Sequence, residues 1–137
     1  LQNNTAIEIT PSNAKIRSLI DIAKGRIDFF KRHNVTEEDH NYVFEGMYSS
    51  LLEMLHALVL SDGFNVANHL CIGHYLRDVL KRQELFLMFD DCRYKRNSLV
   101  YYGKKMETAI ATDAIHRCQT LIREIEHLHS SSTTPAL

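Results

Sequence analysis

The two prolines of this 137-residue chain, Pro11 and Pro135, both lie near its ends. Because proline breaks or kinks a helix interior, the long stretch between them lacks the residue that most strongly interrupts helices. Five glycines are also few for a fold built from strands and tight turns. With 45% hydrophobic and 24% charged residues, the chain can bury a core, and its length fits one domain. We therefore expect an all-α fold.

Apolar residues recur at helical spacing in four long segments and one short segment. The predicted helices cover residues 12–33, 36–61, 68–81, 84–101 and 105–129, and residues 64–68 are expected to form a loop. Thr36, which three acids follow, is the predicted N-cap of the second helix. Asp62-Gly63 and Gly103 are predicted helix stops, and Gly25 is expected to mark a close helix crossing. Short connections favour antiparallel neighbours, which predicts an up-and-down four-helix bundle with one additional short helix.

Composition limits the function as well as the fold. Residues 1–11 are predicted to be a polar lead-in, residues 12–129 the bundle domain, and residues 130–137 a disordered tail. A net charge of −1 argues against coating nucleic acid by bulk charge, but it is compatible with a local basic groove. We find no apolar run of roughly 18 residues and no signal-peptide pattern, so no membrane association is expected. Three cysteines, an odd number, are typical of buried thiols in a reducing compartment, which predicts a cytoplasmic protein.

Histidine and cysteine side chains are the candidate metal ligands of this chain. Cys71 and His74 have a spacing that places both on one helix face, but a zinc site needs three or four ligands and no second pair has matching spacing. We therefore predict no metal and no cofactor. His56 is expected to be a hydrogen-bonded core or interface residue. His127 and His129 are expected to be cations near a helix end, where the helix dipole favours positive charge.

Arg96 lies on the apolar stripe of the fourth predicted helix. Its guanidinium stays protonated, so it must be paired, hydrogen-bonded or solvated in a cleft. Three cations lie within one turn, an amide follows them, and two tyrosines lie within helical reach: Arg93, Lys95, Arg96, Asn97, Tyr101 and Tyr102. Together they can bind a phosphate through arginine and stack a base on tyrosine. In the alternative interpretation, Arg96 is a buried clamp that pairs with an acid of the first or second helix, and the tyrosines pack.

The Arg96-Asn97 pair, followed by Tyr101-Tyr102-Gly103 before the last long helix, resembles the signature of the HEPN superfamily. The resemblance covers residues 12–129. It implies a four-helix bundle that commonly forms a two-fold dimer, in which two Arg-Asn…His motifs face each other as a metal-independent ribonuclease site. Some members are toxins partnered with a nucleotidyltransferase, and others bind ligands or partner proteins.

In this chain, Arg96 and Asn97 match the first two motif positions, and tyrosine or glycine stands where the family has histidine. Tyrosine is a poor general base at neutral pH. The histidines that could replace the missing one are His56, His69 and His74.

The resemblance implies a dimeric HEPN-like domain that binds RNA or a nucleotide phosphate, as a degenerate ribonuclease or a binding module. Arg96, Asn97 and Tyr101 would be the central residues, and Arg93, Lys95 and Tyr102 would add binding contacts. One alternative is an active, metal-independent RNA endonuclease of a toxin–antitoxin or defence system. Another is a purely structural interaction domain. The expected partners are a second copy of the chain, RNA or a nucleotide, and a nucleotidyltransferase or antitoxin.

Overall fold

The computed structural model describes residues 6–8, 13–33, 35–66 and 68–132. Within them the chain is predominantly helical, as predicted, with five α-helices. These are α1 (Asn13–Lys31), α2 (His40–Ser61), α3 (His69–His74), α4 (Gln83–Tyr102) and α5 (Thr108–Ser132). A π-helical turn, Tyr75–Val79, follows α3 directly, and two short strands, β1 (Ala6–Glu8) and β2 (Phe64–Val66), form an antiparallel pair.

Helix α2 is the central element of the core. It packs against α1 and α5 along much of its length, and it also contacts α3 and α4. Phe44, Tyr48, Leu51 and Leu55 of α2 are fully buried. Helix α2 has the length and composition of a membrane span, but 67% of the apolar window is buried inside the fold, as in the core helix of a soluble protein. The arrangement is compatible with the predicted bundle of four long helices and one short helix.

The predicted start of the second helix was wrong. Helix α2 begins at His40, because residues 36–39 form a turn instead of its first helical residues. The Thr36 hydroxyl donates to Asp39 Oδ2 at 2.9 Å, and Asp39, the residue before α2, makes no side-chain cap hydrogen bond. The backbone N–H groups of Asp39 and His40 instead donate to the Thr36 carbonyl, at 3.0 and 3.1 Å.

The segment predicted as a loop over residues 64–68 contains β2, which pairs with β1 in the register Ala6↔Val66. Strand β1 lies in the predicted polar lead-in, whose other residues fall outside those described. The local pattern does not reveal this pair because each strand is three residues long and its partner is distant in the chain. The predicted third helix, residues 68–81, ends as the π-helical turn at Val79, after which Lys81 adopts φ 57°.

The two helix ends predicted from glycine are confirmed. Helix α2 ends at Ser61 before Gly63, which has φ 89°, and α4 ends before Gly103, which has φ 62°. Helix α5 begins at Thr108 and continues to Ser132, so residues 130–132 of the predicted tail are helical. The rest of that tail, residues 133–137, lies outside the described residues.

The close approach of α1 and α2 depends on Gly46, not on Gly25. A Cβ atom at Gly25 would meet nothing within 4 Å, so the predicted close crossing at Gly25 was wrong. A Cβ atom at Gly46 would instead overlap the ring of Phe30. Glycine at position 46 therefore makes room for an aromatic side chain of the neighbouring helix.

The three cysteines form no disulfide and all are buried, as predicted. Cys92 of α4 and Cys118 of α5 lie together in the core, with their Sγ atoms 3.8 Å apart. Hydrogen bonding to Cys92 and burial raise the pKa of the Cys118 thiol well above its ordinary value. Both residues therefore act as small apolar groups where α4 packs on α5.

Candidate functional site

Arg96 continues the narrow buried stripe of α4, which consists of Leu85, Phe89 and Cys92. Its side chain is half-buried. Nη1 of Arg96 donates to the Tyr101 hydroxyl at 3.3 Å, and the guanidinium carbon lies 5.4 Å from the centre of the Tyr101 ring. No ion pair within the described residues includes Arg96. The acid that a buried clamp requires is therefore not in contact with Arg96 in this part of the chain.

The other two predicted cations are already paired within α4. Arg93 Nη2 lies 2.9 Å from Asp90 Oδ1, and Lys95 Nζ lies 2.7 Å from Asp91 Oδ2. These pairs have the i,i+3 and i,i+4 spacing of neighbours on a helix surface, so the sequence carried the signal that would have found them. Arg93 and Lys95 keep their positive charges, but each already has a carboxylate partner one turn away.

Asn97 lies in a groove of about 420 Å³ that is lined by Tyr94, Asn97, Ser98, Tyr102 and Lys104. The hydrogen bonds of the described residues do not join Asn97 to Arg96. Tyr101 and Tyr102 are 68% and 76% exposed, so they do not pack as the clamp interpretation requires. The predicted cluster is thus divided into Arg96 with Tyr101 and a neighbouring groove that contains Asn97 and Tyr102.

The charge of Arg96 acts on Tyr48 of α2 and on His69 of α3. The Tyr48 hydroxyl and His69 Nδ1 form a hydrogen bond of 3.3 Å, and the buried Tyr48 ring stacks on Phe89 with centroids 5.9 Å apart. Burial raises the pKa of Tyr48, against the effect of the Arg96 charge. Burial lowers the pKa of His69 below 6.5, and the charges of Arg96 and Arg93 lower it further. His69 is therefore a neutral imidazole at pH 7.

Sequence reasoning named His69 only as one of three histidines that could replace the missing one, and it did not name Tyr48. The position of His69 is set by Asn68, whose Oδ1 accepts from the backbone N–H of Cys71 at 2.9 Å and caps α3. Asn68 is a strong N-cap residue type, so it was the local signal for where this helix begins. Tyr48 had no local signal, because its contact with His69 depends on how α2 and α3 pack.

A second groove, of about 250 Å³, opens between α2 and the segment from β2 to α3. It is lined by Leu52, Glu53, His56, Val66, Asn68, His69 and Ile72. His56, which was expected in the core or at an interface, is half-buried at the side of this groove. Glu53 Oε1 lies 3.0 Å from Arg26 Nη1, whereas Glu53 Oε2 is buried without a hydrogen-bond partner among the described residues.

The sequence also named Cys71 and His74 as candidate metal ligands and His129 as a helix-end cation. Within the part of the chain that the structure describes, His, Cys, Asp and Glu side chains form no group of three or more that could hold a metal ion. Cys71 is fully buried and His74 is half-buried. The prediction for His129 was wrong: it is buried, and its Nε2 lies 2.8 Å from the Met54 carbonyl oxygen. Burial lowers the pKa of His129, so it is neutral at pH 7 and not a helix-end cation.

Comparison of the chain with protein-family models, with curated proteins and with solved structures finds no match. The features of the described residues that bear on function are therefore Arg96 with Tyr101, the hydrogen-bonded Tyr48–His69 pair, and the grooves beside them.

Proposed function

We propose that this chain is a HEPN-like domain that binds a phosphate group of RNA or of a nucleotide at Arg96. The observation that carries the proposal is a half-buried guanidinium with no carboxylate partner among the described residues. A guanidinium binds phosphate through two parallel hydrogen bonds and stays charged at every ordinary pH. Arg93 and Lys95 support the site more weakly, because each already pairs with an aspartate.

The surface around Arg96 supplies what a nucleic acid needs beyond a phosphate contact. The exposed rings of Tyr101 and Tyr102 offer faces on which bases can stack, which contributes about 1–3 kcal/mol per base in single-strand binding proteins. Asn97, Ser98 and Lys104 of the adjoining groove add hydrogen-bond donors and one more positive charge. Because the net charge of the chain is −1, attraction of an anion must come from this local surface.

The proposal includes a homodimer in which α4 is the contact surface. Leu87 and Tyr94 lie seven residues apart on α4 and are 57% and 70% exposed. The first half of α4 carries Glu84, Asp90 and Asp91, and its second half carries Arg93, Lys95 and Arg96. An antiparallel pair of α4 helices would therefore place acidic halves beside basic halves around a two-fold axis. We also place the chain in the cytoplasm, where the thiols of its three cysteines would stay reduced.

Binding of a fluorescent single-stranded RNA, followed by anisotropy at low salt, tests the phosphate site. We expect Arg96→Ala to weaken binding by about tenfold or more, equivalent to roughly 1.4 kcal/mol, and to reduce the dependence of binding on salt. Arg96→Lys should retain part of the affinity, because it keeps the charge and loses the two-pronged contact. The matched control is Arg17→Ala, which removes an exposed arginine of α1. Equal affinity of Arg96→Ala and the wild type would refute the site.

A second candidate function, a metal-independent RNA endonuclease of a toxin–antitoxin or defence system, is favoured by His69. A neutral imidazole can accept a proton from a ribose 2′-hydroxyl, and Arg96 lies near enough for its charge to lower the His69 pKa. The test is cleavage of single-stranded RNA in EDTA. Cleavage that is lost in both Arg96→Ala and His69→Ala would establish the enzyme, and absence of cleavage by the wild type would leave the binding function alone.

A further inference from the structure

The imidazole of His69 is held in place from two sides. Its backbone begins α3, whose start is set by Asn68 Oδ1, which accepts from the Cys71 N–H at 2.9 Å. Its ring lies against Tyr48 of α2, with the ring centroids 5.8 Å apart and Nδ1 3.3 Å from the Tyr48 hydroxyl. Tyr48 is itself fixed, because it is fully buried and stacks on Phe89. The Nδ1 edge of the imidazole is therefore turned to the core.

The Tyr48 hydroxyl decides which ring nitrogen of His69 carries the proton. A buried O–H group needs an acceptor, because a buried donor that stays unpaired costs free energy. Among the described residues, His69 Nδ1 is the hydrogen-bond partner of this hydroxyl. If Nδ1 carried the proton, it would donate to the Tyr48 oxygen, and the O–H would have no acceptor in this part of the chain. The hydroxyl therefore donates to a bare Nδ1, and the neutral imidazole carries its proton on Nε2.

The protonated Nε2 belongs to the accessible edge of the ring. Nδ1 meets a fully buried hydroxyl, whereas His69 as a whole is half-buried and lines the groove between α2 and the segment from β2 to α3. Since the Nδ1 edge is turned to the core, we place Nε2 on the side of the groove. A neutral imidazole in this form has an N–H and no lone pair on Nε2, so it selects a hydrogen-bond acceptor such as a phosphate oxygen.

His69 and Arg96 are joined through the packing of α4. Phe89, on which Tyr48 stacks, lies two helical turns before Arg96, a rise of about 10 Å along the stripe that Arg96 continues. Burial lowers the pKa of His69, and the charges of Arg96 and Arg93 lower it further. The imidazole thus stays neutral beside these cations at pH 7. An extended anionic ligand at Arg96 would meet a permanent cation and, farther along the core, a neutral N–H donor.

We propose that His69 is a second binding residue of the phosphate site, and that Tyr48 is the positioning residue that keeps its proton on Nε2. Arg96 supplies the charge, and His69 donates to a phosphate oxygen of the same RNA strand or nucleotide. The inference rests on the proposed phosphate binding at Arg96. It also favours binding over RNA cleavage, because a protonated Nε2 cannot take a proton from a ribose 2′-hydroxyl until the tautomer changes and the Tyr48 hydrogen bond is lost.

Nitrogen NMR of isotope-labelled histidine tests the tautomer, since protonated and bare ring nitrogens have distinct chemical shifts. The His69 signals are assigned by their loss in His69→Gln. We expect a protonated Nε2 and a bare Nδ1 in the wild type at about pH 7.5, above the ordinary histidine pKa. Tyr48→Phe, which keeps the buried ring and loses the hydroxyl, should give a mixture of both neutral tautomers. A short single-stranded RNA should shift the Nε2 signal of the wild type.

Three NMR results would overturn the proposal. A bare Nε2 in the ligand-free wild type would mean that His69 has no donor to offer. An Nε2 signal that does not move at saturating RNA would exclude contact with the ligand. An unchanged tautomer in Tyr48→Phe would show that Tyr48 does not position the imidazole.

Binding of the same RNA, with a fluorescent label and followed by anisotropy, tests what the donor contributes. His69→Ala should weaken binding by a few-fold to about tenfold, the range of one neutral hydrogen bond. His69→Gln should recover part of this affinity, because its amide also presents an N–H group. The matched control is His116→Ala, which removes an exposed histidine of α5 and should leave binding unchanged. Equal affinity of His69→Ala and the wild type would contradict the inference.

Arg96→Ala distinguishes failure of this inference from failure of the proposed function. If both hold, Arg96→Ala weakens RNA binding, and the Nε2 signal then shifts only at higher RNA concentration. If binding depends on Arg96 and not on His69, the inference is wrong and the phosphate site stands. If binding depends on His69 and the Nε2 signal responds in Arg96→Ala as in the wild type, the Arg96 site is wrong and the His69 donor stands. If the wild type binds no RNA, both proposals are wrong.

Discussion

Replacing Arg96 with alanine should cost the fold little stability, and this separates a binding residue from a structural clamp. The described contacts that the variant loses are an exposed hydrogen bond of 3.3 Å to Tyr101 and a guanidinium placed 5.4 Å from the centre of its ring. An exposed cation–π contact contributes about 0.5–1 kcal/mol. A hydrogen bond contributes about 0.5–1.5 kcal/mol, and an exposed one at this length lies at the low end. The free energy of unfolding should therefore fall by about 1–1.5 kcal/mol.

A buried clamp predicts a much larger loss. Removing one partner of a buried ion pair leaves an uncompensated charge and costs about 3–5 kcal/mol. The matched control is Arg26→Ala, because Arg26 pairs with Glu53 at 3.0 Å and both side chains are partly buried. A pair of this exposure lies between surface and buried values, so Arg26→Ala should cost about 1–3 kcal/mol.

Urea unfolding followed by far-ultraviolet circular dichroism measures all three proteins under one condition. The reasoning requires Arg96→Ala to lose less stability than Arg26→Ala, with the same slope against urea as the wild type. A loss of about 3 kcal/mol or more in Arg96→Ala would refute it, because Arg96 would then neutralise a buried charge. Weaker RNA binding by Arg96→Ala would in that case reflect unfolding of the variant and not a lost phosphate contact.

Two further predictions concern the fold. Gly46→Ala should lower the melting temperature, because overlap with the Phe30 ring costs about 1–3 kcal/mol and the gain in helix propensity returns only about 1 kcal/mol. Gly25→Ala, where a Cβ meets nothing within 4 Å, should raise the melting temperature, and a shift of the same sign in both variants would contradict the packing argument. Burial lowers the pKa of His129, so the unfolded chain takes up this proton first and stability falls as pH drops below 6.5. His129→Gln keeps a donor for the Met54 carbonyl. As the pH drops from about 7.5 to 5, its urea midpoint should fall less steeply than that of the wild type. An unchanged dependence on pH would contradict the lowered pKa of His129.

Much of the fold was predictable because its signals are local. The apolar spacing of each helix, and the glycines that follow α2 and α4, depend on residues within a few positions of each other. Local reasoning failed at Thr36, where the hydroxyl bonds a side chain three residues on instead of a backbone N–H. It also failed at β2, whose partner β1 precedes α1.

The candidate site was predictable only in part. The position of Arg96 on the apolar stripe of α4 follows from helical periodicity. Periodicity does not predict that Arg96 lacks a carboxylate partner among the described residues, because an acid from any neighbouring helix could have paired with it. The pairing of Arg93 with Asp90 and of Lys95 with Asp91 was predictable from their spacing. It leaves Arg96 as the one cation of the three without a carboxylate partner among the described residues.

The sequence by itself determined where the long helices run and that an arginine interrupts the core stripe of α4, since helical geometry relates each residue to its neighbours three and four positions away. Only the tertiary structure decided that the charge of that arginine acts on Tyr48 and His69, and that Glu53 and Asn68 line a common groove. Those relations join residues of different helices. They depend on the packing of side chains between helices, such as Phe30 over Gly46 and Phe89 against Tyr48, which local periodicity does not specify.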